Sequence, residues 1–372
     1  MKNLIYPVSK PFISKLDIKN INKVLKKSWI SSDGPEVIKF ESEFSKYINK
    51  NFSVAVSNGT AALEIALKAI KIKKGDEVII PNFTIISNAL AVIKQNATPI
   101  FIDCKLSDWN MNIDLIEKKI TKRTKAIIVT HIYSFSNDLD KIAKICKKYN
   151  LFLIEDAAEV LGLQYKKKMC GSFGDISTFS FYANKNITTG EGGMICTNNK
   201  KIYEKCKELR NLCFGKIDRF NHTDIGWNYR ITNIQAALGL SQLKNINRVI
   251  KRKIEIGKIY YNQFSGSKHF YMLPPSNLLS KNIYWVVGIV IKSKKYTAMQ
   301  LSKKLLKLGI MTRPFFFPMH KQKILKKFKC NFLDSFPNSE FISKYGLYLP
   351  SYYALKNKDV MNISKKIHKI FL

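Results

Sequence analysis

The chain has 372 residues, 46% of them hydrophobic, so it can bury the core of one large domain or two moderate ones. Its formal charge of +36 comes from 63 lysines and arginines against 27 acidic residues. These basic residues are spread along the whole chain, only seven are arginines, and no zinc-finger or RNP-type motif occurs. The composition therefore favours a solvated, lysine-rich surface that attracts small polyanions; a nucleic-acid-binding protein is the alternative of a different class.

The cysteines, the histidines and the hydropathy of the sequence indicate the compartment, the absence of a metal site and the absence of membrane insertion that we expect. Seven cysteines are scattered without a CxxC pair, which is typical of reduced thiols in a cytoplasmic protein. Five widely spaced histidines predict no metal site. The first residues, MKNLIYPVSKPF, lack a signal-peptide core, and the longest uncharged stretch, 78–93, is too short and polar to span a bilayer. We therefore expect no membrane insertion.

Apolar runs of strand length alternate with helical patterns over the first 200 residues. The predicted strands are Val54–Ser57, Glu77–Ile80, Pro99–Asp103, Ala126–Thr130, Phe152–Glu155, Ser177–Phe181 and Met194–Thr197. The predicted helices between them are Thr60–Ile70, Ser87–Lys94 and Leu139–Tyr149. This alternation is typical of a mainly parallel sheet covered by helices on both faces.

The pattern changes after residue 200. Helical periodicity is strong at Asn233–Leu243 and Val249–Phe264, and the remaining predictions are a strand at Tyr284–Ile291 and helices at Thr297–Leu308 and Asn357–Phe371. We predict an α/β fold with a large domain, residues 1–250, built on a mixed, mainly parallel sheet. A smaller α+β domain, residues 251–372, would follow, with the first 30 residues packed across both.

The segment Ser57-Asn58-Gly59-Thr60 joins a predicted strand to a predicted helix. The N–H groups and the dipole of a helix start favour an anion, and glycine lets that anion approach closely. Thr60 could add a hydroxyl. A phosphate site and a plain helix cap both fit this segment, which lacks the spacing of a Walker loop.

Two further polar positions follow apolar strands. Asp156 comes after the run LFLI, at a strand end where ligands of open parallel sheets bind, although a solvated turn would also explain it. Lys185 stands between STFSFYA and a glycine-rich turn, where desolvation would lower the pKa of its amine and favour a Schiff base. A phosphate cradle, an acid for a ring nitrogen and such a lysine are the parts that pyridoxal 5′-phosphate requires.

The motifs SFYANKNITTGEGGM, EDAAEVLG and SNGTAALEIAL resemble those of the DegT/DnrJ/EryC1/StrS family of pyridoxal-phosphate-dependent sugar aminotransferases. The likeness extends over nearly the whole chain, through SWISSDGPEVIKFE, GDEVIIPNFTIISNA, GWNYRITNIQAALGLSQL and RPFFFPMH. It implies the aspartate-aminotransferase-like architecture known as fold type I. It also implies a homodimer with shared active sites, which could assemble further into a tetramer.

The resemblance assigns expected roles by matching positions. Lys185 would form the Schiff base with the cofactor, Asp156 would bind its pyridine nitrogen, and Glu159 would lie near its phenolic oxygen. The remaining expected cofactor contacts are Asn58, Gly59, Thr60 and Ser180 at the phosphate, Ile85 against the ring, and Asn228 from the neighbouring subunit. The candidate substrate residues are Trp29, Ser31, Arg230, Arg313 and His320.

The expected reaction follows from the same resemblance. L-Glutamate would donate its amino group to the C4 keto group of a nucleotide-linked 4-keto-6-deoxy sugar, GDP-4-keto-6-deoxymannose being favoured. A UDP- or dTDP-linked sugar, aminated at C3 or C4, is the alternative, and a regulatory protein that keeps the cofactor is a further one. A related dehydratase has histidine where this chain has Lys185, so lysine favours amino transfer. The expected setting is a bacterial O-antigen or other surface-glycan pathway.

Three positions depart from the pattern of the family. Ile85 stands where relatives usually have an aromatic residue, and His131-Ile132-Tyr133-Ser134 replaces the usual HLYG. Residues 212–215, LCFG, differ from the common RNHG stretch. The last two departures bear on which sugar is bound and leave the expected chemistry unchanged.

Overall fold

A computed structural model describes residues 5–215 and 217–372 of the chain. The strands are β1 Phe52–Val56, β2 Glu77–Pro81, β3 Thr98–Ile102, β4 Thr124–Thr130, β5 Phe152–Asp156, β6 Gln164–Tyr165, β7 Lys168–Met169, β8 Ile176–Ser180, β9 Gly193–Thr197, β10 Phe270–Tyr271, β11 Val287–Ile291, β12 Arg313–Pro314 and β13 Gly346–Leu349. The helices are α1 Lys15–Lys26, α2 Pro35–Ile48, α3 Gly59–Ala69, α4 Ser87–Ile93, α5 Leu139–Tyr149, α6 Lys200–Arg210, α7 Asn233–Phe264, α8 Ala298–Lys307, α9 Pro337–Tyr345 and α10 Asn357–Phe371.

The larger sheet of the described residues has the strand order β1-β9-β8-β5-β4-β2-β3. Strand β9 is antiparallel to both of its neighbours, and the remaining pairs are parallel. The predicted mixed, mainly parallel sheet is therefore confirmed. Because β1, β5 and β8 run in the same direction, their carboxyl ends lie at one edge of this sheet.

Helices cover both faces of the larger sheet, as the alternating pattern predicts. On one face, α3 buries nearly its whole length together with α4 and α6. On the other face, α2, α5 and the first part of α7 form the second apolar layer. The sheet is thus the centre of the core, and its carboxyl edge is where the chain must open to accommodate a ligand.

The long helix α7 joins the larger sheet to the C-terminal part. The sequence predicts two helices here, but residues 233–264 form one continuous helix that starts with a capping box made by Thr232 and Gln235. Lys244, Asn247 and Arg248 lie on the exposed side of this helix, which continues through them without a break. The proposed domain boundary at residue 250 falls inside this helix and stays a prediction.

A smaller antiparallel sheet, in the order β10-β11-β13-β12, follows and packs with α8, α9 and α10. The predicted strand at 284–291 begins only at Val287 because Tyr284 has a φ of 49°, outside the extended region. The N-terminal segment contacts both parts: α1 packs on α7, and the N–H group of Tyr6 donates to the carbonyl of Gly309 over 2.7 Å. Residues 1–4 of the predicted packing segment lie outside the described residues.

Among the described residues, none of the helices has both the length and the apolar composition that crossing a bilayer requires.

Candidate active site

A cavity of about 590 Å³ opens at the carboxyl edge of the larger sheet. Strand β5 ends there at Asp156 and β8 ends there at Ser180, while α3 starts there at Gly59, directly after β1. These three chain positions are far apart in sequence, and the parallel strand order brings them together. Residues from the smaller sheet, including Arg313 and Tyr348, close the opposite side.

Lys185 projects its amine into this cavity. The residue follows β8 in a turn closed by a hydrogen bond from its own N–H to the carbonyl of Tyr182, 2.9 Å long. Its Nζ lies 3.8 Å from the centre of the Trp285 ring. Burial lowers the pKa of this amine, and the carboxylates of Glu159 and Asp156 oppose that effect. An amine in this setting can act as a nucleophile and as a proton carrier.

Asp156 is a buried carboxylate held at the end of β5. Its Oδ2 accepts a hydrogen bond from Nδ2 of Asn88 over 3.0 Å, and its Oδ1 accepts one from the N–H of Ala158 over 3.2 Å. Burial raises the pKa of this carboxyl, while the bond from Asn88 and that from Ala158 lower it. A cationic ring nitrogen beside Asp156 would stabilise its charged form.

Glu159 lies one turn beyond Asp156 and is almost fully buried. Its Oε2 accepts a hydrogen bond from the N–H of Tyr133 over 2.9 Å. Burial raises the pKa of the Glu159 carboxyl, and the nearby Lys185 amine lowers it. The carboxyl can therefore carry its proton close to neutral pH, next to the amine.

The start of α3 combines a cap with a close backbone approach. The side chain of Asn58 caps the helix by accepting from the N–H of Ala61 over 2.8 Å, so the plain helix-cap interpretation holds for this side chain. A methyl group on Gly59 would lie only 3.0 Å from Cβ of Ser180, so a larger residue at this crossing would require Ser180 to shift. The hydroxyls of Thr60 and Ser87 are 2.8 Å apart at the same end of the cavity.

These groups fit pyridoxal 5′-phosphate. Hydroxyls at a helix start suit a phosphate, Asp156 suits a pyridinium nitrogen, and Lys185 suits an aldehyde carbon. Two buried atoms that border the cavity, Oγ1 of Thr178 and Oδ1 of Asn184, have no hydrogen-bond partner within residues 5–215 and 217–372. Such unpaired polar atoms are typical of a site built to hold a polar group.

Comparison with known proteins agrees with this chemistry. The profile of the DegT/DnrJ/EryC1/StrS aminotransferase family matches residues 11–368. The chain is 39% identical to GDP-perosamine synthase of Escherichia coli O157:H7, covering 98% of both chains. It is 36% identical to GDP-perosamine synthase of Caulobacter vibrioides, covering 93% of this chain and 92% of that protein. Among solved structures, the Helicobacter pylori aminotransferase PseC superposes with a TM-score of 0.92 at 28% identity, covering 99% of each chain.

The chain belongs to the DegT/DnrJ/EryC1/StrS aminotransferase family.

As a member of this family it is an aminotransferase that uses pyridoxal 5′-phosphate, which confirms the enzyme class and the cofactor expected from the sequence. The fold type is confirmed as well, because the similarity to PseC extends over the whole chain. No cluster of three or more metal-ligating side chains occurs within the described part of the aminotransferase. The roles of single residues stay predictions, and the structure reports only where each one lies.

The cavity of the aminotransferase brings together most of the predicted cofactor residues and one predicted substrate residue. Its lining includes Asn58, Gly59, Thr60, Ile85, Asp156, Glu159, Ser180, Lys185 and Arg313. Ile85 is 42% exposed at the cavity wall, and the Arg313 side chain lies at its rim. At this position the cavity wall therefore carries an aliphatic side chain in place of the aromatic ring usual in the family.

Four predicted residues lie outside the cavity of their own chain. Asn228 is exposed and accepts a hydrogen bond from Nε of Arg230 over 2.8 Å. Trp29 and Ser31 are also exposed, and their carbonyls accept from Asn233 at the start of α7, over 2.7 and 2.9 Å. A single chain therefore does not bring these side chains to Lys185.

His320, a candidate substrate residue, also lies outside the cavity and is held in a bonded network. Its Nδ1 lies 3.0 Å from the side-chain amide of Asn82, and its Nε2 lies 3.0 Å from a carboxylate oxygen of Glu340. Its ring stacks on Phe336 with centroids 4.6 Å apart. With both ring nitrogens engaged, His320 connects the loop after β2 to α9 in this chain.

The structure adds two cavity residues, Ser87 and Trp285, and one buried neighbour of the cavity, Asn88, that the sequence analysis does not single out. Asn88 fixes Asp156, Ser87 meets Thr60, and Trp285 covers Lys185. Ser87 and Asn88 could have been found, because both fall within the quoted family motif GDEVIIPNFTIISNA, where α4 starts. Trp285 had no such signal, since it precedes a strand of the other sheet.

Proposed function

We propose that this aminotransferase transfers the amino group of L-glutamate to the C4 keto group of GDP-4-keto-6-deoxymannose. The observation that carries the proposal is the Lys185 amine, placed in one cavity with the Asp156 carboxylate. The sugar is proposed because relatives named GDP-perosamine synthase from three organisms are 34–39% identical to the chain over at least 92% of both lengths.

The cofactor supplies a carbonyl group that condenses with amines and a ring that accepts electrons. Asp156 keeps a proton on the pyridine nitrogen, because an anionic carboxylate in a buried site favours the cationic ring. Asn88 orients that carboxylate. The start of α3, with Thr60 and Ser180, holds the phosphate end.

Lys185 moves the proton during amino transfer. Its amine would take the proton from the α-carbon of glutamate and, when the keto sugar is bound instead, would return a proton to the sugar carbon that receives the amino group. Burial supports this role, because it lowers the pKa of the amine and so increases the fraction that can accept a proton near neutral pH. Glu159, close by, can hold a proton in the same range of pH.

Anionic substrates require cationic groups around the cavity. Arg313, at the cavity rim, is proposed to bind a carboxylate or a phosphate of the substrate, because its planar guanidinium forms paired hydrogen bonds with such groups. The formal charge of +36 attracts a nucleotide diphosphate from solution and shortens the search for the cavity.

We further propose a homodimer in which Asn228 reaches the phosphate site of the other subunit. The exposure of Asn228 away from its own cavity supports this, and Trp29, Ser31 and Arg230 would meet the partner's cavity in the same way. Co-expression of Lys185→Ala and Asn228→Ala chains tests the arrangement. Each mixed dimer would keep one intact site, so about a quarter of the wild-type activity should return. No recovery beyond the two parents would refute a shared site.

A cytoplasmic location is part of the proposal, supported by seven cysteines that are all unpaired. The setting we propose is the supply of an amino sugar for a surface glycan. The names of relatives such as the spore coat polysaccharide biosynthesis protein SpsC of Bacillus subtilis, 33% identical to this chain over 99% of its length, support that setting.

A substrate panel tests the proposed sugar. Purified protein is incubated with L-glutamate and with GDP-4-keto-6-deoxymannose, a UDP-linked 4-keto sugar, or a dTDP-linked 3-keto or 4-keto sugar. Mass spectrometry identifies an aminated product, and NMR assigns the amine to C3 or C4. Amination of the GDP sugar at C4 with the highest kcat/KM is expected.

The panel also covers a second candidate. A dTDP-3-amino-3,6-dideoxy-alpha-D-galactopyranose transaminase of Aneurinibacillus thermoaerophilus is 32% identical over 94% of this chain. Preferential amination of a dTDP-linked 3-keto sugar would therefore replace the GDP sugar in the proposal and leave the enzyme class unchanged.

A further inference from the structure

We propose that Trp285 is a catalytic residue of this aminotransferase: its indole face receives the Lys185 ammonium whenever that amine is not bonded to the cofactor. We infer further that Ser134 and Lys253 are positioning residues that hold Trp285 in place. The inference rests on the proposed role of Lys185 and adds a residue from the C-terminal half of the chain to the proton-transfer step.

The contact between Trp285 and Lys185 is close and enclosed. The Nζ atom lies 3.8 Å from the ring centre, well inside the distance at which a cation is attracted to an aromatic face, and Trp285 is only 4% exposed. Because Trp285 is buried and Lys185 is only partly exposed, we expect the attraction to exceed that of a fully exposed pair. The ring therefore favours the protonated amine and offers it a resting position.

Three hydrogen bonds fix the Trp285 side chain and backbone. The indole Nε1 donates to the carbonyl of Asn184 over 2.9 Å, which links the ring to the residue before Lys185. The Trp285 N–H donates to Oγ of Ser134 over 2.6 Å. Its carbonyl accepts from Nζ of Lys253 over 3.0 Å. The ring is thus held from three separate segments of the chain.

Ser134 holds its position at a conformational cost. Tyr133 and Ser134 have φ values of 46° and 83°, in a region that residues other than glycine rarely adopt, and both are buried. The same two residues form hydrogen bonds to the cavity: the N–H of Tyr133 donates to Glu159, and the hydroxyl of Ser134 accepts from the N–H of Trp285. Backbone strain of this kind is retained where the surrounding contacts require it.

Lys253 is a buried lysine on α7 without a carboxylate partner among the described residues. Besides the Trp285 carbonyl, its Nζ reaches Oγ of Ser351 over 3.4 Å. It therefore connects the long helix, the strand that begins after Trp285 and the end of β13. Removing the Lys253 amine should make the position of Trp285 less fixed, and no atom of Lys185 is changed.

Several charges surround the Lys185 amine and set the background for a titration. Glu159 and Asp156 raise its pKa against the effect of burial. The other titratable side chains that line the cavity are Tyr182, Glu191, Arg313 and Tyr348, together with Glu64, whose carboxylate accepts hydrogen bonds from Lys94 and from Tyr229 at the far end. None of these groups is removed when only Trp285 or Lys253 is substituted.

The experiment measures the pKa of the Lys185 amine directly. Protein loaded with pyridoxamine 5′-phosphate has no bond between Lys185 and the cofactor, and loading with this form requires no turnover. The protein is labelled with trace acetic anhydride between pH 6 and 10, and the acetylation of the Lys185 peptide is quantified by mass spectrometry. Surface lysines in the same digest serve as internal references.

We expect Trp285→Leu to lower the pKa of Lys185 by about one pH unit, so that labelling below the pKa becomes about tenfold faster. Trp285→Phe keeps a weaker aromatic face and should lie between wild type and Trp285→Leu. It also serves if the leucine variant does not fold. Trp109→Phe, at a buried tryptophan that is not in contact with Lys185, should leave the profile unchanged.

The variant Lys253→Met distinguishes a displacement of the Trp285 ring from a direct effect of the Lys253 charge on the pKa of Lys185. Loss of a positive charge alone could only raise the pKa of Lys185, whereas a displaced ring should lower it, by about half a unit or threefold in labelling rate. Ser134→Ala should act in the same direction with a smaller effect. An unchanged Lys185 profile in both Trp285→Phe and Trp285→Leu would overturn the inference, and a raised pKa in Lys253→Met would reject its positioning role. Neither result would affect the proposed sugar, which the substrate panel tests separately.

Discussion

The two sides of the cavity differ in where their residues come from. One side is the carboxyl edge of the larger sheet, with Asp156, Ser180 and Lys185 at or just beyond strand ends. The other side comes from the C-terminal half, with Trp285 before β11 and Arg313 in β12. The first side carries the groups proposed for the chemistry, and the second places Trp285 over the Lys185 amine and Arg313 at the rim. The carboxylate and the amine of the site thus come from the sheet edge, and the C-terminal half adds the ring of Trp285 and the guanidinium of Arg313.

The sheet side should carry the largest effect. Lys185→Ala removes the amine that is proposed to bond the cofactor and to move the proton, so turnover should be abolished. The visible absorbance of the lysine-bound cofactor, at about 400 nm, should also disappear. Lys166→Ala, which removes an exposed lysine paired with Asp140, should retain both properties. Residual amino transfer in Lys185→Ala would break the assignment of chemistry to this side.

Asp156→Asn should come next. The amide keeps the volume of the side chain but cannot stabilise a protonated pyridine nitrogen, so kcat should fall by about 10³-fold. The measurement is steady-state kinetics with glutamate and the keto sugar both saturating, at saturating cofactor.

Glu155→Gln provides the matched control for this prediction. Glu155 is the adjacent buried acid of β5 and points to the opposite face of the sheet, where Lys50 and His131 lie close to it. The folded variant should keep its kcat, and an equal loss in both variants would indicate a general effect of buried charge.

The opposite side of the cavity should affect binding more than chemistry. Arg313→Ala removes a guanidinium from the rim, and we expect KM for the anionic substrate to rise by about tenfold with kcat nearly unchanged. Arg219→Ala, at an exposed arginine beside Phe214 and outside the cavity, is the control. A large fall in kcat with constant KM would contradict the prediction that this side of the cavity affects substrate binding more than chemistry.

The smallest effect concerns stability on the C-terminal side. Burial lowers the pKa of Lys253 to about 7, whereas an unfolded lysine titrates near its ordinary value. Between these two pKa values the unfolded chain binds one proton more than the folded chain, so the free energy of unfolding rises with pH in this window. Below pH 7 both states are protonated and this dependence ends.

Lys253→Met should remove this dependence. The Tm of wild type relative to the variant should rise between pH 7 and 9 by about 2 °C per pH unit. Parallel Tm curves for the two proteins would show that Lys253 does not titrate in this range.

The sequence alone determined most of the larger sheet and the positions of Asp156 and Lys185. Strand length, alternation with helices and the polar residues directly after apolar runs are local signals, and parallel order places all such strand ends at one edge. The helix start at Asn58 was equally readable. The bounds of α5 and α10 agree with the predicted helices because their periodicity is uninterrupted and each ends where the pattern ends.

Only the tertiary structure decided which distant side chains meet these strand ends. Trp285 belongs to a segment whose predicted strand is shortened by the positive φ of Tyr284, and no local pattern points it at Lys185. His320 matches a family motif in sequence but is held by Asn82 and Glu340 outside the cavity. Local periodicity specifies backbone direction, whereas contacts between residues a hundred positions apart depend on how the two sheets pack, and one sequence pattern is compatible with many such packings.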